Sequence, residues 1–237
     1  MKINIVVTCI DHTDNYKYIN MLKYWIYKYN KSNTDANLIV LSDTKTDLSF
    51  LDKKIDCIRY DLDYDKEYQE IKKKYISCNN KWYDHNMVIS DILRFGKMPA
   101  MFQNLLIIDL DAIVEKTINI PDDIVSKPMA GCDHGEYSKK LNAGFTYINT
   151  NLGPELLNKV INTNLNYPWL CEDLISEIWI DKYYHKLPPE YNWLVGLYGF
   201  NPKAYVNHYW NHRYPKFFAK KMLEYKVNNF IKGSQII

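Results

Sequence analysis

An open α/β fold, with a mixed, mainly parallel sheet flanked by helices, is what this chain of 237 residues predicts. Three observations carry that expectation. Strand-length apolar runs alternate with stretches of helical periodicity, the order that builds a parallel sheet from strand–helix–strand units. One run, Leu105-Leu106-Ile107-Ile108, is apolar without interruption, as a central strand covered on both faces would be, and it leads straight into Asp109-Leu110-Asp111. No internal repeat, low-complexity stretch or linker-like composition appears, so residues 1–237 read as a single domain.

Ile3 to Cys9 is the first predicted strand. A polar loop from Asp11 to Asn15 follows, then a helix whose apolar residues, Ile19, Leu22, Trp25, Ile26 and Tyr29, recur at helical spacing. Leu38 to Leu41 gives a second buried strand ending in Ser42-Asp43, and Ile55 to Tyr60 a third. The charged stretch around Asp61 to Lys74 has no apolar run ahead of it and reads as a solvated turn and exposed helix start. Met87 to Met98 carries Val88, Ile89, Ile92, Leu93 and Phe95 on one face of an amphipathic helix that Pro99 helps to end. The Leu105 strand comes next, extended through both aspartates to Val114. Pro121 to Val125 predicts a short turn or helix, and Met129 to Cys132 a short strand. Leu141-Asn142-Ala143-Gly144 holds small residues where a backbone can approach a ligand, and Phe145 to Asn149 alternates like a half-buried strand. Gly153-Pro154 opens a helix to about Asn164, Glu172 to Trp179 suggests another, and Pro188-Pro189 closes that section.

Composition narrows the function classes. The formal charge is +2, which offers no electrostatic footprint for nucleic acid. Five cysteines, Cys9, Cys57, Cys78, Cys132 and Cys171, are scattered and never spaced C-x-x-C, which argues against a disulfide framework and a thiolate zinc site. The apolar run from Met1 to Val7 is too short for a signal peptide or membrane span, so the expectation is a cytoplasmic protein in a reducing compartment.

The chemistry is concentrated after the central strand. In an extended segment, side chains at i and i+2 point the same way, so Asp109 and Asp111 converge while Leu110 turns back to the core. Two carboxylates so close repel each other unless a cation lies between them. Hard oxygen ligands suit Mn²⁺ or Mg²⁺. Asp61-Leu62-Asp63 and Asp63-Tyr64-Asp65 repeat the pattern without a preceding apolar strand and are assigned to the solvated turn. Asp91 and Arg94 stand three apart on a helix and are surface neighbours. They form either a plain surface pair or, as preferred, an arginine facing Asp109 that pairs with phosphates beside an aspartate that accepts sugar or ribose hydroxyls.

Five stretches in order carry a family likeness: Ser90-Asp91-Ile92-Leu93-Arg94, Asp109-Leu110-Asp111, Leu141-Asn142-Ala143-Gly144, Leu187-Pro188-Pro189-Glu190-Tyr191-Asn192-Trp193 and Val206-Asn207-His208-Tyr209-Trp210. Over roughly residues 3 to 215 the chain resembles GT-A (Rossmann-like) nucleotide-sugar glycosyltransferases with a DXD motif. The nearest likeness is to glycosyltransferase family 8, which includes glycogenin and bacterial lipopolysaccharide galactosyltransferases. The resemblance implies Mn²⁺ (or Mg²⁺) held by Asp109, Asp111 and His208, with His212 the fallback ligand. It implies a nucleotide-sugar donor, a UDP-sugar by preference, contacted by Thr8, Tyr16, Asp91, Arg94, Leu110, Asn142, Ala143 and Gly144. For Tyr16, stacking on the base and packing on the core stand equal, and for Asn142 to Gly144, lying along the donor sugar and forming an ordinary tight turn stand equal. Glu172 and Asp173 match an acidic segment near the reacting sugar, Asp173 the preferred base or sugar ligand. Their alternative is the first turn of a helix, where acids are favoured by the dipole. The acceptor is expected to be a glycan or other hydroxyl compound.

Two rival functions follow from the same residues. A haloacid-dehalogenase-like phosphatase also uses an apolar run followed by Asp-x-Asp, but on its first strand, with threonine or valine where this chain has Ile113. A catalytically inactive nucleotide-sugar-binding domain would keep the ligands without turnover. Residues 216–237 mix Phe217, Phe218, Met222, Leu223 and Phe230 with five lysines. A terminal helix packed on the domain is the preferred reading, and a basic amphipathic tail in peripheral contact with an anionic membrane is the alternative.

Overall fold

The structure is a computed structural model that describes residues 2–12, 17–77, 89–135, 140–162, 176–177, 182–210 and 215–231. The first strand, β1 (Ile3–Thr8), is an interior strand of a seven-stranded sheet. On one side it pairs in parallel with β2 (Ala36–Asp43), which pairs in parallel with β3 (Asp56–Tyr60). On its other side it pairs in parallel with β4 (Leu105–Ile108). Beyond β4 come β7 (Leu141–Ile148), β6 (Met129–Asp133) and β8 (Tyr184–Lys186), with β7 antiparallel to both neighbours. The predicted mixed, mainly parallel sheet is therefore present.

Period-two alternation divides the core between the sheet's faces. Ile5, Val7, Leu106 and Ile108 pack into one cluster with Leu22 and Trp25 of α1 (Lys17–Ser32). Val6, Leu105 and Ile107 join the other, with Leu93 and Phe95 and with Leu156 of α5 (Gly153–Asn162). Both faces of β4 are thus covered, as its unbroken apolar run requires. Further elements are α2 (Lys66–Ser77), α3 (Met98–Met101) and α4 (Asp122–Val125).

A second sheet of three short strands lies beside the first. β5 (Ala112–Val114) pairs antiparallel with β10 (Val206–His208), and β10 pairs in parallel with β9 (Trp193–Leu194). α1 is tied to this sheet by Trp25, whose indole N–H donates to the Ala112 carbonyl at 2.9 Å. α6 (Val195–Tyr198) follows β9 directly. The last helix, α7 (Pro215–Ile231), packs on α1, with Phe218 buried against Tyr24 and Tyr209. Among the described residues, no helix is long and apolar enough to cross a membrane.

Three local expectations are corrected. Pro99 does not help end the helix before it. The backbone is helical from Ile89 to Met101, with a π-helical turn at Ile92–Lys97, and Pro99 sits in the first turn of α3. The Met98 N–H donates five residues back, to the Leu93 carbonyl. A proline in a regular α-helix crowds the carbonyl four residues earlier, and here the π turn stands in the residues just before Pro99. Leu141 to Ile148 is one strand buried along its whole length, neither a tight turn nor half-exposed, because both faces of the sheet are covered there. The register shifts where β6 passes from Gly131 to Cys132 and its partner from Thr146 to Asn142, so the extra residues, Ala143 to Phe145, bulge in β7. The third correction concerns the two aspartates.

Candidate functional site

β4 ends at Ile108, and the chain turns. The Ala112 N–H donates back to the Asp109 carbonyl at 3.0 Å, so Asp109-Leu110-Asp111 forms a tight turn between β4 and β5 and not the extended segment expected. The carboxylates converge because of the turn at a corner between two sheets, and i, i+2 alternation has no part in it. Leu110 still packs partly against the core below. His208 is the last residue of β10 and pairs with Ala112, which brings it to the same corner.

The His208 ring is 2% exposed, and its Nε2 lies 3.3 Å from Asp111 Oδ1 and 3.8 Å from Asp109 Oδ2. One ligand atom from each of the three residues lies within 4.8 Å of the others. For an ion with ligands at about 2.1 Å, adjacent donors stand about 3 Å apart, so these separations fit a divalent cation after slight closure. Two carboxylate oxygens and an imidazole nitrogen suit Mn²⁺ and Mg²⁺ in charge and hardness. The backbone holds the cluster together. The Asp109 N–H donates to the Gly144 carbonyl at 3.0 Å, and the Tyr209 N–H donates to the Asp111 carbonyl at 2.9 Å.

Arg94 reaches the cluster from the π-helical turn. Its Nη1 donates to Asp109 Oδ1, while Nε and Nη2 donate to Asp91 Oδ1 at 3.0 and 2.7 Å. Arg94 is thus buried and faces Asp109, with Asp91 partly buried beside it. Thr8 lies one register step beyond the Val7–Ile108 pair, level with Asp109, and its buried Oγ1 has no hydrogen-bond partner among the described residues. Asn142, Ala143 and Gly144 line up inside buried β7. Asn142 Oδ1 accepts from the Gly144 N–H at 2.9 Å and from Asn192 Nδ2 at 3.0 Å. Tyr16, Glu172, Asp173 and His212 lie outside the described residues.

Sequence reasoning passed over several neighbours. Asn192 lay inside a quoted motif and was not singled out. His134 and Trp210 meet at 5.2 Å between ring centroids, and Trp210 meets His208 edge-on at 6.5 Å. Trp210 takes φ 52°, a left-handed conformation that costs a bulky residue about 1–2 kcal/mol. A second polar cluster stands at the ends of β1 and β2. Asp43 accepts from Thr46 N–H at 3.0 Å and from Thr46 Oγ1–H at 2.6 Å, and pairs with His12 Nε2 at 2.5 Å. Burial works to raise the Asp43 carboxyl, but the hydrogen bonds from Thr46 and His12 outweigh it and hold the group below the usual carboxylate range. Burial pushes the Cys9 and Cys132 thiols up, which keeps them protonated and unreactive.

No protein-family model and no curated protein matches this sequence. Solved structures do match its fold. The apo-form glycosyltransferase GlyE of Streptococcus pneumoniae TIGR4 superposes with a TM-score of 0.60 at 15% identity, over 88% of this chain. This chain spans only about half of that protein, 54% of its length. The galactosyltransferase LgtC, in complex with donor and acceptor sugar analogs, superposes with a TM-score of 0.57 at 12% identity, covering 94% of each chain. At such identities the likeness is one of fold, and the fold is the GT-A fold that the sequence motifs implied.

Proposed function

We propose that this chain is a metal-dependent glycosyltransferase that moves a hexose from a nucleotide-diphosphate sugar to a hydroxyl of a glycan or other acceptor. The observation that carries this reading is the Asp109/Asp111/His208 cluster. It stands at the C-terminal edge of the parallel strands, where open α/β sheets take their ligands, in a fold shared with GlyE and LgtC. A uridine diphosphate donor is the reading favoured by the family likeness.

Breaking the bond between the anomeric carbon and the diphosphate leaves an oxocarbenium-like sugar and a leaving group with added negative charge. A divalent cation held by Asp109, Asp111 and His208, proposed as Mn²⁺ with Mg²⁺ the alternative, supplies Lewis-acid stabilisation to that leaving group when bound. Arg94, braced by Asp91, orients the Asp109 carboxylate and adds fixed positive charge beside it. That charge is worth more in the transition state than in the ground state, because the leaving group's charge is greatest there. Thr8 and Tyr16 are proposed on the nucleotide side. Asp173, with Glu172 beside it, is proposed as base or sugar ligand at the reacting centre.

Thermal unfolding with a panel of nucleotide sugars and free nucleotides, with and without Mn²⁺, tests the reading on wild type and Asp111→Asn. A ligand at a hundred times its Kd stabilises by about 2.7 kcal/mol, or roughly 5–10 °C for a chain of this size. The expected result is a shift that needs both Mn²⁺ and one nucleotide sugar and vanishes in Asp111→Asn. No shift with any of them would overturn the proposal. Turnover of phosphate monoesters in its place would support the phosphatase alternative.

A further inference from the structure

We propose that Gly144 and Asn142 act as positioning residues for His208, and that Gly144 serves the metal site by lacking a side chain and not by touching the donor sugar. The inference rests on the metal-site reading above. Asp109 and Asp111 belong to one tight turn, so their mutual placement is local. His208 arrives on β10, and its ring must be placed against that turn by what it packs on. It packs on Gly144. A Cβ built there would stand 2.6 Å from His208 Nδ1, closer still to Cε1, and 3.0 Å from Asn142 Oδ1. Contacts under about 3 Å are not tolerated between such atoms, so any side chain at 144 drives the imidazole off its position. The ring is almost fully buried and meets Trp210 on its edge, which limits where it can go.

The same glycine holds a second ligand by its backbone, since its carbonyl accepts the Asp109 N–H. Its own N–H is already committed to Asn142 Oδ1, which is braced in turn by Asn192. Gly144 therefore joins the histidine and the first aspartate of the cluster, and Asn142 fixes the orientation of its peptide. Supports of this kind typically govern metal affinity by 10–100-fold.

The test is a titration of the full-length protein with Mn²⁺ alone, following the electron paramagnetic resonance signal of the free ion. Gly144→Ala is expected to bind Mn²⁺ about tenfold more weakly or worse. In a His208→Ala background the same substitution should have no further effect, because its target is already gone. Circular dichroism and thermal unfolding without metal establish that each variant folds. Should Gly144→Ala not fold, Asn142→Ser adds no volume and should weaken Mn²⁺ binding in the same direction. Wild-type Mn²⁺ affinity in Gly144→Ala with weakened nucleotide-sugar binding would overturn the inference and return the residue to the donor. Independent, multiplying effects of Gly144→Ala and His208→Ala would overturn it too. Failure of wild type itself to bind Mn²⁺ would remove the metal-site reading and this inference together, and so is distinguishable from both.

Discussion

Arg94 sets the charge balance at the scale of single residues. Its planar fork serves two carboxylates at once, Asp91 through Nε and Nη2 and Asp109 through Nη1, a geometry a lysine ammonium cannot copy. Arg94→Ala leaves the carboxylates of Asp91, Asp109 and Asp111 at the corner without the guanidinium that pairs with two of them. The expected loss is about 2–3 kcal/mol, below the 3–5 typical of a fully buried pair because Asp109 is a quarter exposed. Urea unfolding without added metal measures it, and Arg94→Lys should recover only part. Asp43 gives a pH prediction. Its folded-state pKa lies below the unfolded value of about 4, so the stability it contributes is complete above that pH and is lost as the pH falls through the folded value. The difference in Tm between wild type and Asp43→Asn should shrink as the pH falls below about 4. A gap unchanged down to pH 2.5 would count against the account. Of these residues, the sequence made Asp91 and Arg94 legible through their spacing. His12 and Asp43 were not paired, because they meet only when β1 and β2 lie side by side.

At the scale of elements, the helical stretch from Ile89 to Met101 decides where Arg94 points. Apolar spacing locates the helix and predicts that Pro99 helps to end it, but the backbone widens into a π turn and continues to Met101. Two glycines let α5 approach this turn. A Cβ on Gly96 would stand 2.6 Å from Leu157 Cδ2, the mobile end of a side chain, whereas a Cβ on Gly153 would collide with the Gly96 backbone carbonyl. Gly96→Ala should therefore cost within about 1 kcal/mol, overpacking being offset by helix propensity. Gly153→Ala should cost about 2 kcal/mol or more, because a backbone cannot step aside. Denaturant unfolding of the two variants side by side checks the order, and equal losses would show that the contact is not the cause.

Over the whole molecule, the site exists because two sheets meet. The large sheet supplies Asp109 at the end of β4 and Gly144 from β7, and the small sheet supplies His208. α7 braces the small sheet from behind: Phe218 is buried against Tyr24 of α1 and against Tyr209, the residue after His208. Phe218→Ala should cost about 3 kcal/mol as a buried aromatic lost to a cavity, read by urea unfolding. A loss below 1 kcal/mol would mean that α7 adds little to the fold.

The sequence by itself determined the parallel strands, the flanking helices and the two aspartates of the candidate metal cluster, because buried strands demand unbroken apolar runs and carboxylates next to them stand out; His208 entered only through the family resemblance. Spacing alone placed β1 and β3 within a residue, β2 within two residues at each end, and the start of β4, whose end it overran. Only the tertiary structure decided that the aspartates sit on a turn, that Leu141 to Ile148 is buried throughout, and that Gly144 lies against the His208 ring. Each of these depends on what packs across from a residue. A period in the chain reports which face is buried, but not which atoms of a distant strand arrive there.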